Sequence, residues 1–269
     1  MTDENDWCKH HLRGRVSYVH SAVVDVSDNT ERWEEQKPRP ICTIAFNEHG
    51  YLIKELLYNL NGRVSQIGST LFDANGNRKE LRFHNPDGGL LSSLKCEYDS
   101  AGKLLECVSI KANGSISTQR CRPRYNHVGN KVEELWFDDG GTLSRRYVYK
   151  HNPIGQTAEQ VLYSYDENGL LDEKWTTIYD AAGNVVERSC FDQQGRTIAG
   201  PIRYKYNGDG DQIEAATFNL HGDLYSTSCY SYELDVQRNW IKRLENYRAA
   251  KSGFETHVVT YRTLEYYSR

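Results

Sequence analysis

One short phrase returns along the chain: YDSAGKLLE at 98–106, YNHVGNKVE at 125–133, YDAAGNVVE at 179–187 and YNGDGDQIE at 206–214. Its core is an aromatic residue, an Asn or Asp, two variable residues and a glycine. The glycines fall at Gly50, Gly62, Gly76, Gly88, Gly102, Gly114, Gly129, Gly141, Gly155, Gly169, Gly183, Gly195, Gly210 and Gly222, spaced 12 to 15 residues apart. Asn or Asp stands three before the glycine in thirteen of these fourteen places, the exception being Lys111. Phe or Tyr stands four before in eleven, the exceptions being His84, Ile110 and His151. Asx at the first position of a type I turn accepts backbone N–H groups on its side-chain oxygen. Glycine at the fourth takes the left-handed conformation that closes a hairpin. Each phrase therefore predicts a tight reversal. The segments between reversals hold one strand each and are too short for a crossover helix, so neighbouring strands run antiparallel.

Two kinds of turn alternate. After Gly76, Gly102, Gly129, Gly155, Gly183 and Gly210 the fourth residue on is always glutamate: Glu80, Glu106, Glu133, Glu159, Glu187 and Glu214. After Gly50 it is Lys54. After the other seven glycines the second residue is usually apolar, as in Val64, Leu90 and Leu224, with Thr197 the exception. The repeat is thus a two-strand unit of 26 to 28 residues, present seven times. An eighth begins at QRNWIKR, where Arg238 fills the glycine slot. Positive φ strains a non-glycine residue, so a different turn is expected there.

These observations predict an all-β fold, a repetitive antiparallel β-hairpin meander of about fifteen strands. All glutamate turns should share one edge of the sheet and the other turns the opposite edge. Strand numbers this high twist until the sheet curls, splits or closes, so a strongly curled, spiral or barrel-like sheet is expected. Strands outside the repeats are expected in RVSYVHSAVVDVS and HVVTYRTLEYYSR, with the polar stretch DNTERWEEQKPRP following the first. Repeat arrays need capped ends because an open strand edge pairs with other chains. The expectation is one domain over 1–269: an N-terminal cap at 1–40, repeats at 41–242 and a C-terminal cap strand at 243–269.

The turn phrases YDENGL, YDAAGN and YNLNGRV resemble the YD repeats of bacterial rearrangement-hotspot (RHS) proteins. The opening LRGRV and the ending RNWIKRLENY with TYRTLEYY resemble solitary short proteins of that type. In the long relatives such repeats form a spiralling β-sheet shell around a toxic domain. Seven units are too few to enclose a folded domain, so the resemblance implies a β-hairpin strip with a large surface rather than a shell.

Composition narrows the partners. Net charge is −4 with both signs interspersed and no basic block, which argues against nucleic acid. No apolar run reaches the length of a helical membrane span. The start, MTDENDWCKHHLRGR, lacks the apolar core of a secretory signal, so a cytoplasmic location is expected, or a periplasmic or surface one if a leader precedes the chain. The seven cysteines, Cys8, Cys42, Cys96, Cys107, Cys121, Cys190 and Cys229, show no CxxC spacing and read as reduced thiols. CKHH at 8–11 lacks visible partner ligands for a metal. NGDGD at 207–211 fails as a calcium loop, with Gln212 where glycine is required and Phe218 where a bidentate glutamate belongs. No metal or cofactor is expected.

No nucleotide-binding, zinc-hydrolase or serine-nucleophile fingerprint appears, so the expected role is non-catalytic. The best-defined chemical feature is the row Glu80, Glu106, Glu133, Glu159, Glu187 and Glu214. In one reading each pairs with a Lys, Arg or Thr of the neighbouring strand and serves the repeat. In the other the row is an acidic stripe for a basic partner. The glycines at the head of this row, Gly50, Gly76, Gly102, Gly129, Gly155, Gly183 and Gly210, are structural. The expected function is protein–protein interaction, with immunity or accessory protein to a bacterial toxin implied by the RHS resemblance. A carbohydrate or cell-envelope ligand is the alternative, and a carboxylate-based hydrolase a third reading that requires a raised carboxylate pKa.

Overall fold

The computed structural model describes residues 5–26, 36–138 and 140–268. Residues 27–35, most of the polar stretch expected after the first strand, lie outside the described residues. A four-residue helix, α1 (Asp6–Lys9), precedes the strands. These are β1 (Val16–Val26), β2 (Arg39–Phe46), β3 (Leu52–Tyr58), β4 (Val64–Phe72), β5 (Arg78–His84), β6 (Leu90–Tyr98), β7 (Leu104–Lys111), β8 (Ile116–Tyr125) and β9 (Lys131–Phe137). They continue with β10 (Leu143–His151), β11 (Thr157–Tyr165), β12 (Leu171–Tyr179), β13 (Val185–Asp192), β14 (Thr197–Tyr206), β15 (Gln212–Phe218), β16 (Leu224–Leu234), β17 (Trp240–Ala249) and β18 (Glu255–Tyr266). Among the described residues they form one 18-stranded sheet. The fifteen strands that flank the fourteen glycine turns are β2 to β16. The other three come from the eighth unit and the two chain ends.

The glycine turns take the expected form. All fourteen glycines have φ between 71° and 91°. In the turn at 180–183, Gly183 donates to the Asp180 carbonyl (3.1 Å), and Asp180 donates to Asn184 (2.9 Å). The Asp180 side-chain Oδ1 accepts from the N–H groups of Ala182 and Asn184, both at 2.9 Å. At the Lys111 exception, Asn113 Oδ1 takes over by accepting from the Ser115 N–H at 3.0 Å.

Arg238 overturns the expectation of a different turn. Its N–H donates to the Asp235 carbonyl (3.0 Å) and Asp235 donates to Asn239 (2.8 Å), as in the glycine turns. Arg238 itself sits at φ 64°. The strain is held by a network that sequence spacing does not reveal. Asn239, 1% exposed, accepts from the Arg13 N–H (2.7 Å) and donates to the Arg13 carbonyl (2.7 Å) and Tyr266 Oη (2.8 Å). The Arg13 guanidinium donates to the Arg238 carbonyl.

Two compact units divide the chain: Met1–Leu71 with Leu81–Leu91 and Ser228–Arg269, and Phe72–Glu80 with Ser92–Thr227. In the first, β1 pairs antiparallel with β2 on one side and β18 on the other, so the strand order returns to its start, as in a barrel. Both predicted end strands are therefore used in this closure. Leu12, Val16, Val19, Ile44 and Phe46 form its core, with Trp7, Leu52, Leu264 and Tyr266 packed against it. Val24 and Val259, directly opposite in register, make a second cluster with Leu244 and Tyr261. The second unit is a run of antiparallel hairpins whose ladders carry the glutamate row.

Candidate functional site

The glutamates of the row owe their shared face to a repeated irregularity. In each hairpin of the second unit closed by a glutamate turn, the ladder skips one residue next to the turn. In β6–β7 the register jumps from Tyr98↔Leu104 to Glu97↔Glu106, leaving Leu105 out. Val132, Ala158, Val186 and Ile213 are left out in the same way in the later hairpins. Such a bulge resets the alternation of the strand, and the glutamate is the first residue of the regular ladder beyond it. In three of the glutamate turns the carbonyl two residues past the glycine accepts from the turn tyrosine of the next unit. Tyr98 Oη donates to the Arg78 carbonyl (3.0 Å), Tyr125 Oη to Leu104 (3.3 Å) and Tyr206 Oη to Val185 (2.8 Å). The repeated aromatic slot thus supplies a hydrogen bond between units as well as packing.

The row carboxylates hold cations of the adjacent strand. Glu106 accepts from Arg122 Nε (2.7 Å), Glu187 from Arg203 Nε (2.9 Å), and Glu159 from Lys150 Nζ (2.9 Å). Glu214 pairs with Lys205 at 2.9 Å. Glu133 is buried and grips two guanidiniums, Arg124 at 2.7 Å and Arg146 at 2.6 Å. Glu80 is buried. Several of these cations also lie over a ring on the following strand: Arg122 over Phe137 (5.7 Å), Arg146 over Tyr163 (5.7 Å) and Arg203 over Phe218 (5.0 Å). In these cases carboxylate, guanidinium and ring form a ladder across three strands, and the charges of Glu106, Glu133, Glu159, Glu187 and Glu214 are met within the sheet. This is the first of the two expected arrangements.

The opposite face of the same strands carries a second repeated group. Trp136 Nε1 donates to Glu134 Oε1 (2.6 Å), and Trp175 Nε1 to Glu173 Oε1 (2.8 Å). A buried cysteine stands directly across from each tryptophan, Cys121 opposite Trp136 and Cys190 opposite Trp175. The Cys190 thiol donates to Glu173 Oε2 at 3.7 Å. Burial, then Glu173, pushes the Cys190 thiol up to about 11, and burial, then Glu134, pushes that of Cys121 up to about 12. Burial also raises Tyr149, with Glu134 adding to it.

The expectation that all seven cysteines are reduced does not hold: Cys96 and Cys107 form a disulfide across β6 and β7 with Cα atoms 4.2 Å apart. Counting outward from the turn at Asp99–Gly102 puts Cys96 opposite Glu106; only the bulge at Leu105 brings Cys107 into register with it. Among carboxylates with a shifted pKa, Glu55 is raised by burial, whereas Asp73 is lowered, first by the Asn77 side chain. Glu55 stands opposite Ile44 and Gly68 in its ladders. Among the described residues no group of three or more His, Cys, Asp or Glu is placed to hold a metal ion. Among the described residues no helix is long and apolar enough to cross a membrane.

The edge opposite the glutamate turns exposes apolar side chains that the sequence reading passed over. In the second unit Leu170 is 63% exposed, Leu220 60%, Tyr225 57%, Ile198 49% and Leu224 43%. They belong to three consecutive turns of that edge. Leu220 occupies a variable slot inside the Asx-x-x-Gly phrase, and an apolar residue in so exposed a slot was the available signal.

Neither the protein-family models nor the curated proteins yield a match. Among solved structures the chain is similar to a porin-like protein from Bacteroides uniformis ATCC 8492, with a TM-score of 0.49 and 10% identity over 93% of this chain and 98% of that one. It is also similar to a chain of the Photorhabdus luminescens Tc holotoxin pore, with a TM-score of 0.41 and 13% identity over 86% of this chain but 13% of that one. At these values the likeness carries no argument about fold or activity.

Proposed function

We propose that this protein is a non-catalytic binding module whose partner is another protein. The observation that carries the reading is the exposed apolar edge formed by Leu170, Ile198, Leu220, Leu224 and Tyr225. Apolar side chains also stand exposed on the glutamate edge, at Val128 and Ile154, but the opposite edge gathers five on three consecutive turns, which favours it as the interaction site. The glutamate row is the weaker candidate, because a basic partner would have to displace cations already bound at 2.6 to 2.9 Å. The resemblance of the turns to YD repeats supports a bacterial toxin domain as that partner, with this chain as its immunity or accessory protein. The cross-strand disulfide favours a periplasmic or surface location over the cytoplasm. A carbohydrate ligand is the second reading, favoured by the exposed ring of Tyr225 on the same edge.

The test is a pull-down from lysate of the source cells with the wild-type protein and a Leu170→Asp/Leu220→Asp variant of unchanged circular dichroism. The expected result is a stoichiometric protein partner that the variant loses. A partner retained by the variant would refute the edge. If no protein is captured, a glycan array with Tyr225→Ala as control decides the second reading.

A further inference from the structure

Three cysteines, not two, stand in line across consecutive strands. Cys107 of β7 is paired in register with Cys96 of β6 on one side and with Cys121 of β8 on the other. Directly opposed residues of an antiparallel sheet point to the same face, and neighbouring strands lie about 4.8 Å apart. Cys121 therefore sits on the far side of Cys107 from the Cys96–Cys107 bond. Displacement at a disulfide sulfur needs the attacking sulfur behind the one under attack, and the ladder supplies that alignment.

We infer that Cys121 is the resolving thiol of the Cys96–Cys107 disulfide, so that β6, β7 and β8 carry an internal thiol–disulfide exchange site. The Cys121 thiolate attacks Cys107 Sγ, the Cys107–Cys96 bond breaks, and Cys96 leaves as a thiolate that takes up the proton Cys121 lost. One disulfide is exchanged for another, so no outside oxidant or reductant is consumed. Cys107 and Cys121 are 6% and 2% exposed, while Cys96 is half-buried. Exchange thus moves the free thiol from a sealed position to one that a thiol-bearing partner reaches. The titratable and charged groups around Cys121 are Glu106 on β7, Lys131 and Glu134 on β9, and Tyr149 on β10. Burial and Glu134 hold its thiol protonated, with a pKa near 12, so the site is nearly silent at neutral pH and opens with alkalinity.

The test uses the full chain with the exposed Cys8 and Cys229 replaced by serine to prevent exchange between molecules. The protein is held at pH 7 and pH 9 with excess iodoacetamide, quenched at pH 3, cleaved with pepsin and mapped by mass spectrometry. The expected product is a Cys107–Cys121 disulfide with alkylated Cys96. It should form about 100-fold faster at pH 9 than at pH 7, following the thiolate fraction, and be absent in Cys121→Ser. A Cys96–Cys107 bond that persists at pH 9 would overturn the inference. So would Cys121 alkylated ahead of Cys96, cysteines 96 and 107 alkylated from the outset, or Cys96 alkylated equally fast in Cys121→Ser.

Discussion

Gly50 separates two costs that a turn glycine usually conflates. Its φ is +82°, and a Cβ built there would lie 2.5 Å from Trp7 Cδ2 and Cε3 and 2.8 Å from Asn5 Nδ2. Gly62, in the same unit, has φ +71° but only ordinary contact, with Pro40 Cγ at 3.5 Å. Gly62→Ala therefore measures left-handed strain alone, about 1–2 kcal/mol. Gly50→Ala must also push out the Trp7 ring. That ring packs on the Leu12, Val16, Val19, Ile44 and Phe46 core, and its Nε1 donates to the Val16 carbonyl at 2.8 Å. The same segment is anchored by N–H groups of Asp6 and Trp7 donating to the Gly50 carbonyl, at 2.9 and 3.2 Å. Asp6 Oδ2 adds an acceptor for the Leu52 N–H at 2.7 Å. Losing the packing of a partly buried tryptophan costs about 3 kcal/mol, the lower end of large-aromatic truncation. Gly50→Ala should thus lose about 4–5 kcal/mol in all. Equilibrium urea unfolding of both variants, alone and with Trp7→Ala, completes the cycle, and the excess at Gly50 should vanish when Trp7 is absent. Equal losses at Gly50 and Gly62 would refute the claim that the N-terminal segment is packed through this turn.

Other outcomes follow from the same turns. Arg238→Gly should stabilise the protein by about 1 kcal/mol, since it relieves positive φ while leaving the backbone contacts to Arg13 in place; an unchanged or lower urea midpoint would contradict this. Gly183→Val should lower the melting temperature through φ alone, because a Cβ there meets nothing within 4 Å; an unchanged value would count against the turn assignment. Asp73, Asp180 and Asp192 have lowered pKa values through hydrogen bonds to their ionised carboxylates, even where burial opposes this. Their contribution is present above the ordinary Asp value of 3.8 and is lost as pH falls through the lowered folded values. Melting temperatures from pH 5 down to pH 2 should fall less steeply in a triple Asp→Asn variant, because Asn serves the same turns at Asn59, Asn126 and Asn152. A parallel fall in both proteins would dismiss the aspartates as the cause.

The repeat alone determined the strand class, the antiparallel order, the place of each reversal and the shared edge of the glutamates. Each of those follows from contacts within a dozen residues, where Asx and glycine act on their own turn. The tertiary structure decided what joins distant parts of the chain. The partners of β1, the Arg13–Asn239 hold on Arg238 and the tyrosine bonds between units link residues from 16 to 250 positions apart. The bulges decided the rest: one skipped residue beside a turn flips the facing of all that follow. Alternation counted along the chain therefore missed that Cys96, Cys107 and Cys121 lie abreast and that Arg122, Arg146 and Arg203 reach both a glutamate and a ring.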